Sequence, residues 1–472
     1  MAVPPRDRRF SGLQMYDPDL AEQNWGTSRP DVTPTGKSFR QELARILAFQ
    51  AVLYGLAPVY QYAAMCAACA PNNSEQNSVE STEWALNVLV HERRTAGAGF
   101  QPFRVPNVDT LYSNGWLDLS DRPVTIDLPE FGDRYYTLNF LDAYSNASNV
   151  SRRTYPRQPQ RILLTCTESE QVADEGTIVF RVATPIIWLL MRIQVFGQTD
   201  LHAVHAMQDA VTVTAPDRPA RSWPVVDQRA VETSWSSFST ALDAVLDLNG
   251  VPIQDAAHVH QFQQICIGPG TPDAVELDDT MSWGTELGFE AAMAMLSNSR
   301  SSLGQRTDSG WTRVLDKGAH GHNFLARAVM NFVGLGANVV EENCSYNTYV
   351  DGHGRELAAP PGVDYLIEFD EHPPAQAFWS ITLYVAETGW LYDAPGGVHS
   401  IGSATNRNGT ATEPYCVTIS GTAPSDVGPD KVWLPAPPQP FFLVLRIYQP
   451  TEDALMERWT PPPVERRTDG VR

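Results

Sequence analysis

The chain has 472 residues, 43% of them apolar and 19% charged, a balance that excludes a disordered chain. Asp and Glu number 55 against 34 Lys and Arg, and the net charge of −21 argues against tracking nucleic acid phosphates or an anionic lipid surface. The length predicts two or three domains, and 36 Pro, 32 Gly, 12 Trp and 16 Tyr predict a turn-rich, largely β protein.

Residues 1–37 read as an extended arm without the apolar run of a secretory signal, so cytoplasmic residence is expected. Ser38-Phe-Arg-Gln41 has the form of a capping box and predicts a helix start, which Pro58 should end or kink. The uncharged stretch Ile46 to Ser74 passes a first test for a membrane span. It holds Gln50, Gly55, Pro58 and Gln61, so a buried, Pro-broken helix pair is the expectation and no membrane is called for. Cys66 and Cys69 form a CxxC without a second pair or a preceding strand, which predicts packed thiols. Asn72 to Ser81 reads as a polar loop, and His91-Glu-Arg-Arg94 as the end of a helix.

From Thr110 the period changes to two. Val124–Leu128 and Tyr135–Phe140 alternate around a turn and predict paired antiparallel strands. Gln160–Thr167 and Thr177–Ala183 follow, and the nearly all-apolar Trp188–Phe196 predicts a central strand buried on both faces. Helical sequence covers Leu201–Val211, Val231–Leu248, Gly284–Leu296 and Asn323–Glu342, while His258-Val-His260 reads as a strand-type pair. Strands return from Tyr365 to Tyr448.

An internal echo organises these elements. Arg134-Tyr-Tyr-Thr-Leu and Ala377-Phe-Trp-Ser-Ile each follow a short strand. Later, Pro185 and Pro440 each open an apolar run that closes on Arg192-Ile or Arg446-Ile. The expected fold class is α+β, mainly β: two tandem jelly-roll-like antiparallel β-sandwich domains with an N-terminal helical segment and a helical region between them. The expected boundaries are an arm at 1–37, a helical lead-in with the first sandwich at 38–215, a helical connection at 216–345 and the second sandwich at 346–472. Duplication of one ancestral domain predicts the same strand order in both.

Pro106-Asn-Val-Asp-Thr-Leu-Tyr-Ser113, Trp116-Leu-Asp118, the Arg134 strand with Asp142, and Arg192-Ile-Gln-Val followed by His205-Ala-Met-Gln208 resemble a domain of unknown function numbered twelve fifty-four. Ala377–Tyr384, Ser400-Ile-Gly402, Trp433–Pro437 and Phe441–Tyr448 resemble its usual tandem partner, numbered twelve fourteen. The resemblance implies paired jelly-roll-like sandwiches with helices, and no settled reaction.

The densest polar cluster is Asn107, Asp109, Thr110, Tyr112 and Ser113. In extended chain Thr110, Tyr112 and Trp116 share one face, with Asn107, Asp109 and Ser113 on the other. Asp109 is the candidate acid/base, Tyr112 a hydrogen-bond donor and Arg192 the charge stabiliser. Asn107, Thr110, Trp116, Asp142, Trp379, Arg446 and Tyr448 are candidate binding residues. The competing reading of the 107–113 cluster is a turn whose Asn and Asp side chains bond their own backbone. For the arginines it is an internal ion pair, with Asp109 and Asp142 as first candidates for Arg192. His202 with His205, and His258 with His260, lack a patterned carboxylate, so no metal is predicted. GxSxG, GxGxxG and GxxxxGKS/T are absent, and no cofactor is expected. The expected function is a cofactor-independent enzyme that isomerises, eliminates, cyclises or hydrolyses a small, partly apolar molecule in secondary or catabolic metabolism, with a small-molecule partner and no nucleic acid. Alternatives are a non-catalytic carrier and a structural protein that assembles as a homo-oligomer.

Overall fold

The computed structural model describes residues 34–71, 84–100, 102–167, 174–216, 222–268, 277–315, 317–403, 415–425 and 431–468. The arm at 1–33 and the polar loop at 72–81 lie outside the described residues.

Among the described residues the first half contains β1 (Val90–His91), β2 (Thr110–Asp118), β3 (Val124–Asp127), β4 (Tyr136–Leu141), β5 (Ala147–Ser151), β6 (Arg161–Thr165), β7 (Thr177–Arg181), β8 (Ile186–Gln194) and β9 (Thr212–Thr214). The second half contains, likewise, β10 (Gln305–Arg306), β11 (Thr312–Val314), β12 (Asn343–Thr348), β13 (Val363–Phe369), β14 (Ala375–Val385), β15 (Ser400–Gly402), β16 (Tyr415–Ser420), β17 (Lys431–Pro435), β18 (Phe441–Pro450) and β19 (Glu465–Thr468). The main helices are α1 (Lys37–Cys69), α2 (Leu201–Asp209), α3 (Gln228–Thr233), α4 (Trp235–Asn249), α5 (Ala256–His260), α6 (Asp279–Asn298) and α7 (Phe324–Val333). Helix takes 30% and strand 28% of the chain, so the fold is α+β with sandwich-like domains and a larger helical share than its turn-rich composition suggests.

The two halves repeat one strand order. The inner sheet of the first half runs β1-β2-β8-β4-β5, and that of the second runs β10-β11-β12-β18-β14-β15. Without their edge additions, β2-β8-β4-β5 corresponds to β12-β18-β14-β15. The outer sheets, β7-β6-β3-β9 and β17-β16-β13-β19, correspond strand for strand. Each outer sheet contains one parallel pair, β6 with β7 and β16 with β17, where an all-antiparallel sandwich was expected.

Alternation on the central strands sorts the side chains. Ile187, Leu189, Met191 and Ile193 of β8 enter the first sandwich core with Val124, Ile126, Ile162 and Leu164. The opposite face carries Ile186, Trp188 and Leu190 toward the helices, followed in the same alternation by Arg192. In β18, Phe441, Leu443, Leu445 and Ile447 fill the second sandwich core. Phe442, Val444, Arg446 and Tyr448 take the other face. The inner sheets thus turn their arginine-bearing faces to the middle of the molecule.

Several local expectations are corrected. Pro58 does not break α1, which runs unbroken for 33 residues. Proline removes the N–H that would bond the carbonyl four residues back, and that carbonyl, of Tyr54, instead accepts from Arg327 Nη2 at 2.7 Å. The helix starts at Lys37 behind Gly36 without a side-chain cap, so Ser38–Gln41 is not a capping box. By length and composition α1 could cross a membrane, yet 67% of its apolar window is buried inside the protein. It packs on α6, where a Cβ at Gly284 or Gly288 would meet Gln41 O at 2.4 Å or Arg45 O at 2.2 Å. Val90 and His91 form β1, paired with Asn114 and Ser113, rather than a helix end. His258 and His260 lie on α5, not on a strand. The helix expected over 323–342 stops at Val333, and residues 334–338 run as a loop toward the interface of the halves.

Candidate functional site

Between the inner sheets lies a cavity of about 90 Å³. Tyr112 of β2 and Arg192 of β8 line it from the first half, Asn343 and Ser345 of β12 and Arg446 and Tyr448 of β18 from the second. The 334–338 loop, Met330 and Val333 of α7, and Phe103, Leu303 and Val314 add a largely apolar wall. Lys317, on the turn between β11 and α7, completes it.

Each arginine is built in by the repeat. Arg192 pairs across β8 with Tyr112 of β2 and Thr137 of β4. Arg446 pairs across β18 with Ser345 of β12 and Ser380 of β14. Counting back three residues from Tyr112 and from Ser345 reaches Asp109 and Glu342, so these two buried carboxylates are also equivalent. Each reaches into the other half. Asp109 Oδ2 accepts from Ser380 Oγ at 2.5 Å, and Glu342 Oε2 accepts from Ser151 Oγ at 2.8 Å and from Arg153 Nε at 2.8 Å. Tyr135 packs edge-on against Phe378, its equivalent, with ring centroids 5.5 Å apart, so the approximate twofold relation runs close to that contact.

Arg446 is well satisfied. Its Nη1 donates to Tyr384 Oη at 2.9 Å and its Nη2 to Val105 O at 2.8 Å. Arg192 is only half satisfied. Its Nη2 donates to Gly336 O at 2.7 Å and its guanidinium lies 5.4 Å from the centre of the Tyr112 ring, but its buried Nη1 meets no protein acceptor among the described residues. The expected ion pairs do not form. Asp109 is held by Ser380, and Asp142 accepts from Asn146 and Tyr144 in its own turn.

Lys317 Nζ donates to Asn343 Oδ1 and to Ser345 Oγ, both at 2.6 Å, and Ser345 Oγ in turn donates to Asn343 Oδ1 at 3.1 Å. Burial lowers the amine pKa to about 7; Cys344 opposes the shift, and the charges of Arg446 and Arg192 add to it. Burial pushes the Asp109 carboxyl the other way, to about 6, against the Ser380 bond and the Arg446 charge.

Of the residues predicted from sequence, Asn107, Tyr112, Arg192, Arg446 and Tyr448 meet on the cavity wall. Asn107 also makes the turn foreseen in the competing reading, its Oδ1 accepting from Asp109 N, Thr110 N and Thr110 Oγ1. Thr110 therefore supports the turn, and Asp109 sits behind the wall on Ser380. Trp116 stacks on Trp188 and lines, with Asp142, a separate void of about 20 Å³. Trp379 points to the opposite face of β14 and packs on Phe369 and Tyr415 in the second sandwich core. Sequence reasoning missed Lys317, Asn343, Ser345 and Glu342. Two signals could have found them: the repeat carried back to β12, and the rarity of lysine, since only Lys37, Lys317 and Lys431 occur beside 31 arginines.

Among the described residues no group of three or more His, Cys, Asp or Glu is placed to hold a metal. His205 Nε2 lies 2.8 Å from Arg93 O, and Cys66 and Cys69 are buried and joined in no disulfide.

Residues 86–215 match the family described as a protein of unknown function, DUF1254, and residues 342–452 match a second one, DUF1214. The chain carries both domains in tandem. Arg192 belongs to the DUF1254 domain and Arg446 to the DUF1214 domain, while Lys317 lies between the matched segments. The chain is similar in fold to the VPA0106 protein from Vibrio parahaemolyticus, at 18% identity over 90% of this chain and 100% of that one, with a TM-score of 0.63. An uncharacterised protein from Burkholderia cenocepacia is similar at 12% identity over 98% of this chain and 95% of that one, with a TM-score of 0.41. No curated protein matches the chain.

Proposed function

We propose that the cavity between the DUF1254 and DUF1214 domains binds a small, partly apolar organic anion, and that the protein is a cofactor-independent enzyme acting on it by proton transfer and electrostatic stabilisation. One observation carries this reading. Arg192 is 6% exposed and, among the described residues, its Nη1 lacks a protein acceptor on a wall that also holds Arg446 and Lys317. No carboxylate lines that wall among the described residues. A buried cation left unpaired costs several kcal/mol, of order 3–5, and a ligand carboxylate removes that cost. The apolar side, with Phe103, Leu303, Met330 and Phe442, suits a short hydrocarbon portion.

The position of Asp109 supports a second reading, a non-catalytic carrier, because its carboxyl sits behind the wall. Lys317 answers that objection, since an amine near its midpoint at neutral pH can give or take a proton on the wall.

Isothermal titration with acetate, butyrate and succinate tests binding. The expected result is saturable binding of a short monocarboxylate, weakened at least about tenfold by Arg192→Met, as loss of a charge-assisted hydrogen bond implies. No binding by any of the three, or an Arg192→Met variant that binds equally well, overturns the reading. Exchange of ligand α-protons for deuterium, followed by NMR, separates the enzyme from the carrier.

A further inference from the structure

We propose that Lys317 is a nucleophile, forming an imine with the carbonyl of a short oxo carboxylate whose carboxylate is held by Arg192 and Arg446. The inference rests on the binding reading above and names its substrate class.

The geometry supplies a free electron pair. Two acceptors, Asn343 Oδ1 and Ser345 Oγ, take two N–H bonds of Nζ. The Ser345 proton is committed to Asn343, so both contacts are donated by the lysine. An ammonium would carry a third proton, for which the described residues place no further acceptor beside Asn343 and Ser345. A neutral amine places both its protons and keeps its lone pair, on a residue that lines the cavity. Burial and the neighbouring Arg446 and Arg192 favour that neutral form near pH 7.

Composition points the same way. Where charge alone is wanted this chain uses arginine 31 times in 34, and arginine serves planar anions better. A guanidinium cannot give up its proton to attack a carbonyl; an amine can. The other lysines, Lys37 and Lys431, are exposed on the surface.

The step balances without a redox partner. The ammonium form first releases one proton, and the amine lone pair then forms a C–N bond to the carbonyl carbon. The C–O bond breaks, and the oxygen leaves as water with that proton and one more from nitrogen, giving a protonated imine. Its positive nitrogen draws electrons toward the C=N carbon, which eases loss of a proton from the carbon next to it, the electron pair of that C–H bond moving into a C=C bond and the C=N pair onto nitrogen to give an enamine. Arg192 and Arg446 anchor the carboxylate, and the apolar wall excludes water that would reverse the step.

Trapping with sodium cyanoborohydride tests this. The probe is 2-oxobutyrate, with butyrate as its carbonyl-free control, and adducts are located by peptide mass mapping. The expected result is a reduced adduct on Lys317 ahead of Lys37 and Lys431, none at that position in Lys317→Arg or Lys317→Met, and trapping slowed at least about tenfold in Arg192→Met. Lys317→Met should unfold in urea at pH 7 no earlier than the parent, which shows that a lost adduct is not a lost fold. Adducts on Lys37 or Lys431 but not Lys317, in protein that binds butyrate, overturn the covalent step and leave the binding reading standing. If neither butyrate nor 2-oxobutyrate binds, both fall.

Discussion

Arg192 and Arg446 hold equivalent places in the two halves, and each crosses to the other half for a main-chain acceptor. Arg192 Nη2 donates to Gly336 O, seven residues before β12, and Arg446 Nη2 donates to Val105 O, five residues before β2. The exchange joins the domains at the cavity, so the same side chains that hold the halves together present charge to a ligand.

The two arginines nevertheless differ in what they stabilise. Arg446 satisfies Tyr384 Oη and Val105 O, while Arg192 has one strong acceptor and an unpartnered Nη1. Arg446→Met should therefore destabilise the fold by about 2–4 kcal/mol, because buried acceptors lose their donor. Arg192→Met should cost less than about 1 kcal/mol, since removing an unpaired buried charge offsets the lost bond to Gly336. Urea unfolding midpoints measure both, and an Arg192→Met variant as damaged as Arg446→Met would contradict the assignment.

Lys317 predicts a pH slope. Its folded pKa, about 7, lies below the ordinary 10.5. Between those values the unfolded chain holds a proton that the folded chain lacks, so stability rises with pH from 7 toward 10.5 and is lost as pH falls to 7. The slope contribution is at most about 1.4 kcal/mol per pH unit. Lys317→Met should remove it, making the variant more stable than the parent near pH 7 by an amount that shrinks by pH 9. Urea titrations at pH 7, 8 and 9 decide the matter, and parallel pH profiles would show that Lys317 is charged in the folded protein.

Asp109 has the opposite sign. Its folded pKa, about 6, lies above the ordinary 3.8. Between those values the folded protein keeps a proton that the unfolded chain has released, so stability falls as pH rises from 4 to 6 and stays lower beyond. Asp109→Asn retains an acceptor for Ser380 Oγ and carries no charge. Its stability relative to the parent should rise between pH 4 and 6, by at most about 1.4 kcal/mol per unit, and level off above. A difference that does not change with pH in thermal melts would mean that Asp109 is not buried as a protonated acid.

The sequence made the repeat readable because each central strand ends an apolar run in Arg-Ile, and a cation in such a run has to face something polar. Alternation along β18 puts Phe442, Val444 and Tyr448 on the face of Arg446. Trp379 was misplaced because the apolar content of 378–384 marks neither face of β14, and only the register Trp379↔Ile447 turns that ring into the sandwich core. Pro58 misled because its cost is met by a contact that spans 273 residues of chain, Arg327 to Tyr54 O, which no local pattern records. Lys317 sits on an irregular turn where periodicity says nothing, and the turn takes its meaning from β12 and β18 beside it. The partners expected for Arg192 failed for a related reason. Asp109 and Asp142 are close in sequence pattern, but the acceptor is a carbonyl on a loop from the other half.

That loop gives the sharpest mutational test. Gly336 has φ +75°, a left-handed conformation that a side chain resists, and a Cβ there would come within 2.7 Å of Leu190 Cδ2 and 3.1 Å of Trp188. Both neighbours stand on β8, one and two turns of the pleat from Arg192, and Trp188 is fixed by its stack on Trp116. The Leu190 methyl can turn aside, whereas the Trp188 ring is held by its stack, so the strain falls on the left-handed backbone of Gly336 and on the loop that carries it. Gly336→Ala should therefore lift the 334–338 loop and separate Gly336 O from Arg192. The expected cost is about 2–4 kcal/mol, from the backbone conformation and the overpacking together. Anion affinity should change as well, because Arg192 loses the bond that fixes its orientation. Gly334→Ala on the same loop is the comparison, since its backbone is extended and its Cβ would meet Arg104 O at 3.0 Å, away from β8. Loss of butyrate binding in Gly336→Ala, with binding kept in Gly334→Ala, would tie the affinity to the Gly336–Arg192 contact rather than to the loop in general.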